Sequence, residues 1–436
     1  MSVKHFINDP TKLVEDALHS LTLVNPTVAL DRQNKVVYRR PTEGKPEEVS
    51  IISGGGSGHE PSFAAMVGRG MLSAAVAGTI FASPSAEQIR TGITSRVDTG
   101  KGVLVVVMNY TGDVLNFGMA VEKARAAGTG VEMVVVGDDV GVGKEKAGKV
   151  GRRGIAGTVL VLKIAGALAA SGRPLEEVAK VARLTADNLV SVGASLEHVH
   201  VPGRATDSAD VLAAGEVEIG MGIHNEAGSE RGKLGLPELV GKMLAQLLDQ
   251  SDKDRAFVNV NSNEVVLLVN NLGGVSVLEM GGITAEVVLQ LDEKYNIKPV
   301  RILSGTYMTS LNGLGFSISL LNVVNTDIGG PSMIQLLDAP SEVTGWAAPI
   351  QKTTWESKNT ATRTETTDIS RAVEPSGLKM DAAEEKSALT SALERVIAAE
   401  PEITKYDTVV GDGDCGIGLK RGAEGEYLTE QMGERI

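Results

Sequence analysis

The sequence predicts an α/β chain: two successive α/β blocks, then a polar linker and a short helical segment. Three observations carry this. Residues 101–108 ("KGVLVVVM") and 131–139 ("VEMVVVGDD") are continuous apolar runs rich in valine. That is the pattern of strands covered on both faces, as in a parallel sheet. Residues 113–128 ("DVLNFGMAVEKARAAG") read as a helix, so strand, helix and strand follow at the spacing of a βαβ unit. Hydrophobic residues make up 42% of the 436, spread over many short runs among 51 glycines. This argues against a disordered or fibrous chain and gives length for more than one domain.

The remaining elements follow in order. Residues 10–22 read as an amphipathic helix, and 36–40 and 49–52 as strands. "SGGGSGHE" (53–60) reads as a glycine loop opening a helix over 61–70, with Pro61 in the first turn, where its missing N–H costs little. Residues 155–170 are apolar but short for a membrane span and interrupted by Lys163, so a buried helix is expected. The second block opens with a helix over 175–193. It continues with a strand at 264–271, a helix at 283–295 and a strand-like run at 316–324. Residues 339–376, rich in Thr, Ser, Pro and charge, read as a linker that Trp346 and Trp355 could pin to a surface. A helix follows at 378–400, then "YDTVVGDGDCG" (406–416). The expected divisions are 1–185, 186–338, 339–376 and 377–436, the last being small for an independent domain.

A net charge of −13 argues against nucleic-acid and anionic-membrane partners, which want a basic face. The one cysteine, Cys415, rules out a disulfide within the chain. With no signal-like start, a cytoplasmic location is expected.

Four loci could carry chemistry. The glycine loop lacks the Gly-Lys-Ser/Thr ending of a phosphate loop and the G-x-G-x-x-G of a dinucleotide site. It offers backbone N–H donors, and His59 beside a helix N-terminus, whose dipole would keep the imidazole neutral. In "MNYTGDVLNF" (108–117), Asp113 stands where a strand ends, as ligand sites in open α/β sheets do. Taken alone, a helix N-cap explains it better than a general base for a substrate hydroxyl does. In "EIGMGIHNEAG" (218–228), His224 sits in a glycine-flanked segment, where a structural role is the default. His198 and His200 read as structural neighbours on a strand. Asp407, Asp412 and Asp414 would repel one another without a cation. A calcium loop is excluded because its fifth, sixth and twelfth positions would be Gly416, Ile417 and Ala423, so magnesium shared with nucleotide phosphates fits better.

Together "SGGGSGHEP", "NYTGDVLNF", "GMGIHNEAG" and "GDGDCG" resemble the dihydroxyacetone (glycerone) kinases of the single-chain ATP-dependent type. The resemblance covers a substrate-binding module over roughly 1–338 and the beginning of an all-helical nucleotide-binding module. It implies that His224 captures the ketone carbon of dihydroxyacetone as a hemiaminal. Glycerol, which lacks a carbonyl, would thereby be rejected. It implies Asp113 as the base for the substrate hydroxyl and His59 as its hydrogen-bonding companion. Gly56, Ser57 and Gly58 would wrap the substrate. Asp407, Asp412 and Asp414 would hold magnesium, and Cys415, Gly416, Ile417 and Gly418 would begin the ATP contacts. The family norm also implies a homodimer. Met108 departs from the pattern, since the family commonly has a substrate-contacting lysine there. Glyceraldehyde is a further expected substrate, and a lyase reaction on a flavin dinucleotide is a side activity of some animal members. Because only the start of the nucleotide module is matched, little turnover is expected of this chain alone, and a ketone-binding protein without catalysis is the alternative.

Overall fold

The computed structural model describes residues 4–42, 44, 47–205, 211–363, 377 and 379–431, with the side chains of 426–431 left aside. The chain divides into two compact units, Met1–Asn359 and Thr360–Ile436.

In the first unit, α1 (Pro10–Val24) leads to a six-stranded sheet of β1 (Val28–Asp31), β2 (Val36–Arg39), β3 (Ser50–Ser57), β4 (Ala74–Ile80), β5 (Val103–Met108) and β6 (Val131–Val136). Its order is β1-β2-β4-β3-β5-β6. The pairs β4–β3, β3–β5 and β5–β6 are parallel, and β1 and β2 form an antiparallel edge. The crossovers are α2 (Ala86–Ser95), with a Ser85–Gln88 capping box, and α3 (Thr111–Ala126). They pack on one face, where Val103, Val105 and Val107 meet Ile89, Phe117 and Val121. A short turn, α4 (Lys144–Ala147), precedes α5 (Thr158–Ala170) and α6 (Leu175–Asp187) on the other face. The α5 helix is buried nearly all round, Lys163 included. The Lys163 ammonium donates to the Leu336 carbonyl at 2.9 Å.

The second sheet comprises β7 (Leu189–Ser195), β8 (Val217–Ile219), β9 (Glu230–Gly232), β10 (Val265–Asn271), β11 (Arg301–Gly305) and β12 (Gly315–Asn322). Its order is β11-β10-β12-β7-β8-β9, antiparallel except for β10–β11. Helices α7 (Leu236–Leu248) and α8 (Val277–Tyr295) cover one face. The other face joins α5, α6 and α9 (Met333–Asp338) in a core shared by both sheets. Trp346 is buried against Tyr307, and α10 (Lys352–Ser357) brings Trp355 beneath the Arg301 guanidinium. So residues 339–357, the first part of the expected linker, belong to the first unit and are held to it through Trp346 and Trp355. The expected linker's second part, 364–376, lies outside the described residues, as does 432–436.

The second unit is a helix pair, α11 (Ala382–Val410) and α12 (Cys415–Gln431). The α11 helix starts on an Asp381 cap and runs through Pro401, ten residues beyond the expected end at 400.

Several expectations are corrected. The glycines are not a loop opening a helix: 53–57 lie inside β3, and only a short 3-10 turn (Ala64–Met66) follows. Helix 175–193 ends at Asp187, because "LVSVG" is the start of the buried strand β7. His198 and His200 are on no strand. His198 faces Glu218 at 3.1 Å, and His200 contacts His5 at 3.0 Å.

Candidate active site

The site forms where the carboxyl ends of β3 and β5 meet two turns of the second sheet. Residues 58–62 are stitched to 307–311. Leu311 N–H donates to Gly58 O at 2.7 Å, Thr309 N–H to His59 O at 3.2 Å, and Ser62 Oγ to Tyr307 O at 2.7 Å. Asn270, fully buried on β10, fixes that turn by accepting the N–H groups of Tyr307 and Met308 and donating to Met308 O.

His59 is completely buried. Its Nδ1 lies 2.8 Å from Thr309 O and its Nε2 lies 3.0 Å from His224 Nε2. Burial, followed by the neighbouring His224, pushes its pKa down to about 3. Neutrality was expected from a helix dipole. No helix starts there, and desolvation does the work instead.

His224 comes from the turn after β8. Its ring is T-shaped against His59 (4.8 Å between centroids), Phe81 (5.1 Å) and Tyr110 (4.7 Å), while Phe81 stacks on His59 at 5.3 Å. Glu226 folds back beneath it. Oε1 is 2.9 Å from His224 Nδ1, and Oε2 accepts the His224 backbone N–H at 2.9 Å. Burial alone would raise the Glu226 carboxyl. The hydrogen bonds and charge of His224 outweigh it and hold the group down at about 2.

Asp113 is buried at the third position of α3, whose N-cap is Tyr110, so it is not a capping residue. Burial raises its carboxyl, opposed by a Ser83 hydroxyl hydrogen bond and by His224, whose charge reaches it. One of its oxygens, Oδ1, is buried without a partner among the described residues, and so is the Tyr110 hydroxyl. A buried acceptor left bare costs about 1–3 kcal/mol, which a ligand hydroxyl would recover.

The glycines divide by face. A Cβ on Gly54 would sit 2.2 Å from Val76 O, and one on Gly56 2.7 Å from Ala82 N, so those two serve the packing of β3 on its neighbour. A Cβ on Gly55 would face the Asp113 carboxylate at 3.6 Å. Gly58 needs its φ of 106° and lies against Phe81. The Ser57 hydroxyl donates to Gly78 O at 3.0 Å, toward β4. Met108 continues the Leu104 and Val106 row into the shared core, with Gly154 against its Cβ.

In the second unit, Asp407, Asp412 and Asp414 each offer an oxygen within 4.8 Å of the others. Asp407 Oδ2 accepts the N–H groups of Asp414 and Cys415. The charge of Asp412 raises the Asp414 carboxyl, the state of an acid cluster lacking a counter-charge. A set of hard carboxylate oxygens with open positions fits magnesium. Cys415, Gly416, Ile417 and Gly418 form the first turn of α12. Gly416 packs against Thr404 and the Glu400 carbonyl of α11.

The Dak1 domain family matches residues 19–345. A dihydroxyacetone kinase of Pichia angusta is 44% identical over 438 residues, covering 97% of this chain and 71% of the relative. This chain belongs to the dihydroxyacetone kinase family. The crystal structure of the C. freundii dihydroxyacetone kinase in complex with AMP-PNP and Mg2+ matches with a TM-score of 0.73 at 32% identity. That match covers 99% of this chain and 76% of the other. A dihydroxyacetone kinase operon co-activator matches with a TM-score of 0.67 at 31% identity, covering 77% of this chain and 99% of its own.

The fold of this dihydroxyacetone kinase family member brings His59, His224 and Asp113 together. It keeps Met108 and Ser57 in packing or strand contacts. Sequence reasoning passed over Glu226, Tyr110, Phe81, Ser83 and Gly55. Phe81 carried no signal at all, since its φ of 59° is visible only in the fold. Among the described residues, no helix is long and apolar enough to cross a membrane.

Proposed function

We propose that this chain transfers the γ-phosphoryl group of ATP to a terminal hydroxyl of dihydroxyacetone, holding the ketone as a hemiaminal on His224. The carrying observation is the convergence of three groups that lie far apart in sequence: His224, His59 at 3.0 Å from it, and Asp113 within its electrostatic reach. A reversible C–N bond forms only with a carbonyl compound, so selection against glycerol does not depend on hydroxyl contacts. It also fixes the terminal hydroxyl for transfer. Asp113, with a bare oxygen and a raised carboxyl, takes that hydroxyl's proton. Asp407, Asp412 and Asp414 would hold magnesium, which neutralises phosphate charge when bound. Glyceraldehyde, having both carbonyl and hydroxyl, suits the same groups.

The test is two-part. With carbonyl-labelled dihydroxyacetone, the labelled carbon should move from a carbonyl to a tetrahedral signal, and ATP with magnesium should then give the triose phosphate. Unchanged capture by His224→Asn would sink the reading.

The likeness to an operon co-activator favours one second reading, a ketone-binding protein of regulatory use. Triose phosphate formation that is lost in Asp412→Asn would decide for the kinase. Capture without turnover at saturating ATP and magnesium would decide for the binder.

A further inference from the structure

We propose that Glu226 is a positioning residue that selects Nε2 of His224 as the attacking atom and balances the charge that the attack leaves on the ring. The proposal rests on the reading of His224 as the group that captures the ketone.

The argument concerns where hydrogens can sit. A carboxylate has none to give, so the contact of 2.9 Å from Glu226 Oε1 to His224 Nδ1 requires Nδ1–H. Thr309 O likewise only accepts, so the contact of 2.8 Å to His59 Nδ1 requires Nδ1–H on that ring too. Each imidazole therefore turns its other nitrogen toward its neighbour, Nε2 to Nε2, at 3.0 Å. Two bare lone pairs at that separation repel. One further hydrogen between them removes the repulsion. His59, buried from water, is the poorer place for the positive charge, so the hydrogen rests on His224. That ring then carries two N–H groups, with the Glu226 carboxylate as its counter-charge.

Capture follows with atoms and charge balanced. The Nε2 hydrogen passes from His224 to His59, and the freed lone pair forms the C–N bond. The carbonyl π pair moves to oxygen, which takes the hydrogen back from His59. The product is a tetrahedral carbon bearing OH, a neutral His59 and a His224 ring still positively charged beside Glu226. One charge is present before and after. Without the carboxylate, the ring could place its hydrogen on Nε2 and turn Nδ1 elsewhere.

The surroundings hold Glu226 to this task. A Cβ on Gly222 would lie 1.9 Å from Glu226 Oε2, so only glycine leaves room for the fold-back. Asn225 adopts φ 67° and clamps the turn by a double hydrogen bond to Val199, at 2.9 Å each way.

The experiment uses the 436-residue chain labelled with ¹⁵N-histidine and read by long-range ¹H–¹⁵N correlation. His224→Asn identifies the His224 ring signals among the six histidines. The wild type should show hydrogen on both ring nitrogens, Nδ1 facing Glu226 and Nε2 facing His59. Glu226→Ala should leave that ring neutral with its hydrogen on Nε2 and weaken capture of labelled dihydroxyacetone by roughly ten- to a hundredfold, the usual cost of removing a carboxylate that orients a ligating histidine. Glu226→Gln keeps the shape and guards against misfolding. It replaces one of the two acceptor oxygens by an NH2 donor and removes the charge, so an intermediate loss is expected. Glu226→Asp should restore part of the Nδ1 hydrogen signal. Ring signals and capture unchanged in both Glu226→Ala and Glu226→Gln would overturn the proposal. An adduct that persists in His224→Asn would instead overturn the reading beneath it.

Discussion

A single imidazole edge sets the chemistry proposed for this chain. His224 has one nitrogen tied to a carboxylate and the other directed at His59, and the two groups ask for separate tests. Asp113→Asn should leave ketone capture intact, because His224 and His59 are untouched. It should lower phosphoryl transfer by about 10²- to 10⁴-fold, the usual worth of a positioned base. Turnover with purified enzyme, set beside adduct formation by NMR, separates these roles; loss of both together would contradict the assignment. The sequence made His224 and Asp113 candidates only in company. Alone, each had a bland explanation, and for Asp113 the explanation was capping, although Tyr110 holds the N-cap position and makes no side-chain cap there. Glu226 was illegible for a physical reason. A carboxylate two residues from a histidine points anywhere until Gly222 allows the turn to close on itself.

At the level of elements, the legible parts were those with one dominant force. The valine runs of β5 and β6 and the helix α3 between them were evident from burial alone. The strands β1 and β4 were not recognised. In β4, "AAVAGTI", small residues and a glycine hide the strand, and it is packing against β3 that defines it. The glycines of β3 misled in the opposite direction, because their purpose is close backbone approach within a sheet. Gly56→Ala should therefore destabilise by at least about 2 kcal/mol through overpacking against Phe81 and Ala82, measured by urea unfolding. A shift under half of that would show that the neighbouring backbone gives way. The turn carrying His224 makes a second case. Asn225→Ala loses both hydrogen bonds to Val199 and the tolerance of φ 67°. A cost of about 1–3 kcal/mol is expected, together with weaker ketone capture. Unaltered capture would mean that the turn holds its shape without the clamp.

Over the whole molecule, buried groups with displaced pKa values tie stability to pH. His59 in the folded state titrates at about 3, against about 6.5 when unfolded. The unfolded chain therefore binds the extra proton first, and stability falls as pH drops from about 6.5 toward 3. Glu226, held at about 2, contributes stability that is present above its unfolded value of about 4.5 and is lost as pH falls toward 2. Lys163, depressed to about 8 by burial against the pull of Asp338, adds a slope of the same sign between about 8 and 10.5. The unfolding free energy from urea titrations should fall from pH 7 to pH 4, His59 contributing on the order of 1 kcal/mol per pH unit against the opposite pull of the raised Asp113 carboxyl, and His59→Gln should flatten the part of that slope that begins near pH 6.5. A slope identical in the variant would show that His59 does not stay neutral. The second unit calls for a different measurement: magnesium should raise its thermal midpoint, and Asp412→Asn should abolish that gain. The stitches that join residues 58–62 to 307–311 also bear on how the protein is born. His59 emerges from the ribosome some 250 residues ahead of Thr309, the group that fixes its tautomer. A nascent polypeptide thus has no working trap for ketones until the turn around Thr309 has been made, and the final assembly of the pocket is a long-range event rather than a local one.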